Sequence, residues 1–173
     1  MNLETIKNLI RDVPDFPKPG IIFKDITPLL QNPEAFSFVT REFVREYQDK
    51  NIDVIVGIES RGFLFGSVLA HALGKPMAIV RKKGKLPHVT VSFTYQLEYG
   101  EDTIEMHEDA VPKGAKVLVV DDLLATGGTC EATAKLIEKM GGEVSAMAFV
   151  IELDFLKGRE RLQSYPIFSL LHY

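Results

Sequence analysis

Apolar positions along the chain switch between two periods. Leu3, Ile6, Leu9, Ile10 and Val13 recur at helical spacing and predict a short amphipathic N-terminal helix. Pro14, Pro17, Pro19 and Gly20 then impose a rigid, extended connector, followed by a short apolar run, Ile21-Ile22-Phe23. Asn32-Pro33-Glu34 reads as a helix start, with Asn32 as the cap and Pro33 at the first helical position. Phe36, Val39, Phe43, Val44 and Tyr47 form that helix's buried stripe. Continuous apolar runs predict buried strands over 54–58, 77–80, 117–120 and 144–151. Helices are predicted over 62–73, with Gly74 after the end, and over 128–140, stopped by Gly141-Gly142. Residues 91–99 alternate like a half-exposed strand. Strands alternating with helices predict right-handed βαβ units, hence an α/β fold with a mainly parallel sheet flanked by helices. Residues 82–109 break the alternation and read as an insertion or flap. A chain of 173 residues suits one domain over 1–173, with residues 1–32 as a small N-terminal hood.

Composition changes this picture little. Hydrophobic residues make up 46% and charged residues 25%, ordinary globular usage. A net charge of −4 argues against a dedicated non-specific nucleic-acid binder, which would be basic. The single cysteine, Cys130, has no partner for an internal disulfide, so a reducing, cytoplasmic setting is expected. The first residues, Met1 to Lys7, lack the charged and apolar regions of a signal peptide, and the longest apolar run (144–151) is far short of a membrane span. The average charge hides a polarity. Residues 81–85 carry +4, while residues 98–109 hold six acids and no Lys or Arg.

The sharpest chemical signal runs from Val117 to Thr129. A buried strand ends in Asp121-Asp122, and the loop Leu123-Leu124-Ala125-Thr126-Gly127-Gly128-Thr129 leads into a helix. Ligands of open α/β sheets bind beyond the carboxyl ends of strands. A glycine-rich turn at a helix N-terminus presents N–H groups and positive dipole to phosphate. The hydroxyls of Thr126 and Thr129 can donate to phosphate oxygens. Two acids directly before a phosphate cradle suit ribose hydroxyls or a hydrated Mg²⁺. The spacing is neither a Walker loop nor Gly-x-Gly-x-x-Gly. Together these residues call for a sugar bearing a 5-phosphate.

At this point the chain resembles the type I phosphoribosyltransferase family. Val119 to Thr129 is similar to that family's motif for phosphoribosyl pyrophosphate (PRPP), in the wording of its adenine-using branch. Asp15 to Ile26, Gly57-Ile58-Glu59-Ser60-Arg61-Gly62-Phe63, Arg81 to Pro87, Leu97-Glu98-Tyr99-Gly100 and Leu153 to Leu162 match further stretches in order. The resemblance implies transfer of the 5-phosphoribosyl group from PRPP to adenine, giving AMP and pyrophosphate, with Mg²⁺ as cofactor and a homodimer as the assembly. It assigns Asp121, Asp122, Ala125, Thr126, Gly127, Gly128 and Thr129 to the ribose 5-phosphate. Ser60, Arg61, Arg81, Lys82 and Lys85 go to pyrophosphate, Arg81 reaching the partner subunit's site, and Lys83 is left to solvent. Catalysis falls to Arg61 and Glu98, the latter as a protonated carboxyl at the purine's imidazole edge. Phe23 and Leu153 sandwich adenine, and backbone groups near Ile22 and Lys24 read its amino edge. A cis Glu59–Ser60 peptide is also implied. Mg²⁺ is carried mainly by PRPP, near Asp121.

Other readings stay open on residues alone. The basic run could be a solvated loop, Arg61 a surface ion pair, and Phe23, Leu153 and Tyr99 core residues. Glu105 to Asp109 reads as an exposed strand edge and turn, without a zinc spacing. His71, His88 and His172 form no Ser-His-Asp arrangement. Cys130 reads as packing. The competing functions are a phosphoribosyltransferase for another purine, a non-catalytic PRPP-sensing protein, and a Mg²⁺ phosphatase using Asp121 or Asp122.

Overall fold

In chain order the elements are α1 (Leu3–Asn8), β1 (Arg11–Pro14), β2 (Ile22–Asp25), α2 (Thr27–Leu30), α3 (Pro33–Tyr47), β3 (Val54–Ile58), α4 (Gly62–Leu73), β4 (Met77–Lys82), β5 (Thr90–Gln96), β6 (Glu101–His107), β7 (Lys116–Leu124), α5 (Gly128–Lys139), β8 (Glu143–Glu152), α6 (Gly158–Arg161) and β9 (Ile167–His172). The structure is a computed structural model and describes residues 1–96 and 100–173. Among these, β1 and β2 pair only with each other. The main sheet has the order β5-β6-β4-β3-β7-β8-β9. Strands β4, β3, β7, β8 and β9 run parallel, and the β5–β6 hairpin joins β4 antiparallel.

The period-2 pattern explains the layers. Ile55, Leu118, Val120, Ala148 and Val150 face one way and pack with Ile6, Val39, Phe43, Phe65 and Leu69 of α1, α3 and α4. Val54, Val56, Val117, Val119, Met147 and Phe149 face the other way and pack with Leu136 and Ile137 of α5. Both faces are covered, which is why β3 is buried at all five positions. Each fully buried aliphatic or aromatic side chain contributes about 1.5–3 kcal/mol relative to exposure. Asn32 caps α3 as expected, accepting from the N–H groups of Glu34 and Ala35. Helix α4 has its predicted bounds and ends on left-handed Gly74.

Four expectations need correction. The N-terminal helix stops at Asn8, and Val13 lies on β1 opposite Phe23. Pro14 disfavours helical angles at the residue before it, and pairing with β2 favours the strand. Strand β7 runs on to Leu124 instead of ending before the acids, because β8 pairs alongside as far as Leu124↔Glu152. Glu105 and Met106 are buried: β5 pairs along the outer side of β6, Met106 packs into the core cluster with Leu136 and Ile137, and Glu105 lies under the turn at Gly84 to Leu86. Strand β9 has no counterpart in the sequence reading. No helix of the described residues is long and apolar enough to cross a membrane.

Candidate active site

The carboxyl ends of β3, β4, β7 and β8 bring the predicted residues to one side of the sheet. Strand β3 ends at Ile58, and Glu59-Ser60-Arg61 turns the chain into α4. The Glu59–Ser60 peptide is cis, as the resemblance implies. Arg61 sits at the α4 N-cap with its Nε 3.0 Å from Asp122 Oδ2. Its guanidinium carbon lies 4.9 Å from the centroid of the Phe23 ring, a cation over an aromatic face. One side chain thus joins residues expected at the ribose and at the base. Ser60 beside it is exposed.

The two acids lie in a strained electrostatic setting. Burial pushes the Asp121 carboxyl well above the usual range, and the Asp122 charge pushes it further. Burial also raises Asp122, against the opposing pull of Arg61. Among the described residues, buried Asp122 Oδ2 has the Arg61 ion pair and no further hydrogen-bond partner.

Beyond β7, Ala125-Thr126-Gly127 form the loop into α5. Gly127 is left-handed (φ 79°) and provides no side-chain cap, so the first N–H groups of α5 stay available to an anion. Its fit depends on α6. A Cβ on Gly127 would stand 2.8 Å from Gly158 O, and one on Gly158 would stand 2.1 Å from Ala125 O. Thr126 is exposed, and Thr129 Oγ1 is 3.1 Å from Tyr95 Oη. Arg161 Nη1 lies 3.0 Å from where a Cβ of Gly128 would be, beside the same helix start. Cys130 is buried and burial raises its thiol pKa well above the ordinary value, which fits the packing role.

The basic run is exposed over residues 82–85 and is tied by ion pairs to two carboxylates. Arg81 Nε is 3.3 Å from Glu59 Oε2, Lys85 Nζ pairs with Glu59 Oε1, and the Lys82 N–H donates to Glu59 Oε2 at 2.9 Å. Lys82 Nζ is 3.2 Å from Asp102 Oδ2. The turn is braced by Glu105, which accepts from the N–H groups of Gly84, Lys85 and Leu86 at 3.0–3.2 Å. Lys83 is exposed, as expected. A cavity of about 160 Å³ collects Glu59, Arg81, Lys82, Tyr95, Asp102 and Thr129. A larger one, about 380 Å³, lies at the opposite end of the strands beside Tyr47, Lys116 and Phe168 and touches none of the predicted residues.

The base-recognition residues are split between two elements. Phe23 is half-buried on β2, edge-on to Phe16 at 5.2 Å; Ile22 is exposed; Lys24 Nζ is 2.6 Å from Asp12 Oδ1. Leu153 is buried at the end of β8, and its N–H donates to Leu124 O at 2.9 Å, which ties it to the start of the phosphate loop. Glu98 and Tyr99 lie outside the described residues. Glu59, Tyr95, Asp102, Gly158 and Arg161 line or brace the site without having been singled out. Glu59 carries a signal, as a carboxylate at a strand end directly before Ser60-Arg61, and Gly158 and Arg161 fall within the matching stretch Leu153 to Leu162.

The family model described as phosphoribosyl transferase domain matches residues 25–170. An adenine phosphoribosyltransferase of Acidobacterium capsulatum is 55% identical over 173 residues, covering 100% of this chain and 96% of the relative. The chain belongs to the adenine phosphoribosyltransferase family. The crystal structure of the family member from Thermoanaerobacter pseudethanolicus superposes with a TM-score of 0.97 at 50% identity, covering 99% of this chain and 100% of that one. A Trypanosoma brucei member, in complex with AMP, pyrophosphate and ribose-5-phosphate, has a TM-score of 0.89 at 26% identity over 98% of this chain and 79% of that one. The match over 25–170 contains every predicted site residue except Ile22, Phe23 and Lys24, which belong to the hood.

Proposed function

We propose that this chain transfers the 5-phosphoribosyl group of PRPP to adenine, giving AMP and pyrophosphate. The junction at Arg61 carries the reading. One guanidinium lies between Asp122, expected at the ribose, and Phe23, expected at the base, on the turn expected to hold the leaving group. Full-length identity to an adenine-named relative, hood included, supports adenine over another purine.

In this reading the bond from C1′ to the diphosphate oxygen breaks, and its electron pair leaves with pyrophosphate. The bond from C1′ to the purine's imidazole nitrogen forms, and that nitrogen gives up its proton. Charge develops on the leaving oxygens, where Arg61, Arg81, Lys82 and Lys85 provide preorganised cations. The first turn of α5, with Thr126 and Thr129, holds the 5-phosphate. Asp121 and Asp122 accept from the ribose hydroxyls. Leu153 and Phe23 exclude water from the base. Glu98 is the acid–base group at the imidazole edge.

Mg²⁺ fits this donor set. Hard carboxylate oxygens suit it; burial raises Asp121 most, and the further contribution from the Asp122 charge is what a cation would relieve. Held near Asp121, largely by PRPP itself, it would neutralise part of the diphosphate charge. A cytoplasmic location and a homodimer complete the proposal. The lone buried Cys130 supports the first, and the family resemblance at Arg81 the second.

Labelled adenine, guanine, hypoxanthine and xanthine, each supplied with PRPP and Mg²⁺, test the reading. Adenine alone should be turned over efficiently, and absence of adenine turnover would overturn it. Glu98→Gln should lower kcat by about 10²–10⁴-fold with PRPP affinity little changed. Near-wild-type turnover would place the acid elsewhere.

A further inference from the structure

The two proposed adenine walls sit on separate sheets. Phe23 is on the β1–β2 pair, Leu153 at the end of β8, and the described strands of the two sheets do not pair with each other. Something else must set the gap between them. Tyr173 spans it. Its N–H donates to Glu152 O at 3.0 Å and its carbonyl accepts from the Asp154 N–H at 2.9 Å, so these two bonds bracket Leu153. Its ring lies under two ammonium groups, with Lys24 Nζ 3.9 Å and Lys7 Nζ 4.4 Å from the centroid. Lys24 directly follows Phe23 and is also pinned to Asp12 of β1. The phenol donates to Lys7 O at 3.2 Å, and Lys7 Nζ donates to His172 O at 2.7 Å. Burial, with Asp12 nearby, pushes the phenol up to about 12, so it remains a neutral donor.

The neighbouring Glu152, Asp154 and His172 place three ligand atoms within 4.8 Å of one another. Arg159 already donates to both Glu152 oxygens, at 2.9 and 2.6 Å, and Ser169 donates a third bond at 2.6 Å. With both Glu152 oxygens taken up by Arg159 and Ser169, this cluster braces the strand end that carries Leu153.

We infer that Tyr173 is a positioning residue for the base. It couples Leu153, through the backbone, to Phe23, through the Lys24 ammonium on its ring, and so sets the width of the adenine slot. The inference rests on the proposed placement of adenine between Phe23 and Leu153. A ring quadrupole attracts cations within about 6 Å of its centroid, and two such contacts resist sliding of the hood. Among the described residues, the hydrogen bonds and cation–π contacts of Tyr173 go to Lys7, Lys24, Glu152 and Asp154 and not to Asp121, Asp122, Arg61 or the basic run, so its effect should be confined to the base.

Steady-state kinetics with each substrate varied in turn, on wild type, Tyr173→Ala, Tyr173→Phe and Lys24→Met, test this. Tyr173→Ala should raise the adenine KM about fivefold or more, the size of one partly desolvated cation–π contact, with the PRPP KM unchanged. Tyr173→Phe keeps the ring and should stay within about twofold of wild type. Lys24→Met removes the coupling cation and should raise the adenine KM as Tyr173→Ala does; it decides the matter if Tyr173→Ala does not fold. An unchanged adenine KM in both variants, an equal rise in both KM values, or a Phe variant as poor as Ala overturns the inference. Failure of wild type to use adenine would instead overturn the functional reading beneath it.

Discussion

The two anion-facing regions of the site are made of different materials. The loop after β7 is backbone and shape: left-handed Gly127 presents the start of α5, and Gly158 packs flat against Ala125. The run at the end of β4 is charge: Arg81 and Lys85 converge on Glu59, and Lys82 on Asp102. Contact at van der Waals distance has no screening length, whereas partly exposed ion pairs weaken with salt and with pH. A polyanionic substrate is therefore met at one end by a fixed cradle and at the other by an adjustable set of cations. The fixed end should fail abruptly when one atom is added. The adjustable end should fail by degrees.

The largest effect is expected at Gly158→Ala. The new Cβ would stand 2.1 Å from Ala125 O and 3.0 Å from Leu124 Cδ1, so the loop or α6 must move. Overpacking of this kind costs about 1–3 kcal/mol, which corresponds to a loss of about 5–150-fold in PRPP affinity if the cradle absorbs the shift. Calorimetric titration with PRPP measures it. Neither salt nor pH should restore the loss. Unchanged affinity would show that Gly158 does not brace the loop.

The same contrast governs what could be read from the chain. The glycine loop is legible because its signal is local: strand, small residues and helix start lie within thirteen consecutive positions. Its brace is not, because Gly158 reaches Ala125 only through the β8–α6 return. The basic run is legible as charge but not as structure. Its partners Glu59 and Asp102 are each about twenty residues away, and they meet it only because β4 lies between β3 and β6. The layers follow from period-2 runs, so β3 and the core of β8 are legible. Strand β9 is not, because Pro166-Ile167-Phe168-Ser169-Leu170-Leu171 lacks a clear period and takes its place by pairing with β8. The N-terminal helix is shorter than its spacing predicts because Ile10 and Val13 keep helical spacing while lying beyond its end, Val13 on β1. The motif assigns Arg61 to pyrophosphate, but its position over the Phe23 ring has no sequence signature.

Asp121 lies between the two materials and sharpens the comparison. It is a charge inside the rigid strand. Burial and Asp122 raise its pKa, so the folded chain binds that proton more tightly than the unfolded chain does. The sign follows: stability falls as pH rises from the ordinary Asp range through the raised value, and the loss persists above it. Asp121→Asn keeps an oxygen for the Asp122 N–H, which now donates to Asp121 Oδ1 at 2.9 Å, and removes the charge. The ligand-free variant should be more stable than wild type at pH 8, with the difference narrowing toward pH 4 in urea titrations. PRPP affinity should fall about tenfold, the worth of one hydrogen bond to a charged acceptor. A variant less stable than wild type at both pH values would show that the carboxylate carries no burial penalty.

The smallest effect, and the one that separates the regions most cleanly, belongs to Glu59→Gln. Burial works to raise the Glu59 carboxyl, but the Lys85 ammonium, the Lys82 N–H and the Arg81 guanidinium outweigh it and hold the pKa at about 2, below its ordinary 4.5. A depressed acid contributes stability that is fully present above the unfolded value and is lost as pH falls through the folded one. The wild-type advantage in urea midpoint should therefore be constant from about pH 8 to 6 and shrink as pH falls from about 4.5 toward 2. Arg81 and Lys85 keep 31% and 46% of their side-chain surface exposed, so the advantage is at most about 1 kcal/mol. Added salt should narrow it as well, while leaving the Gly158→Ala defect untouched. If the Glu59 advantage survived both acid and salt, the carboxylate would be acting through shape, and the basic run would be a second cradle instead of a set of charges held in place by an acid.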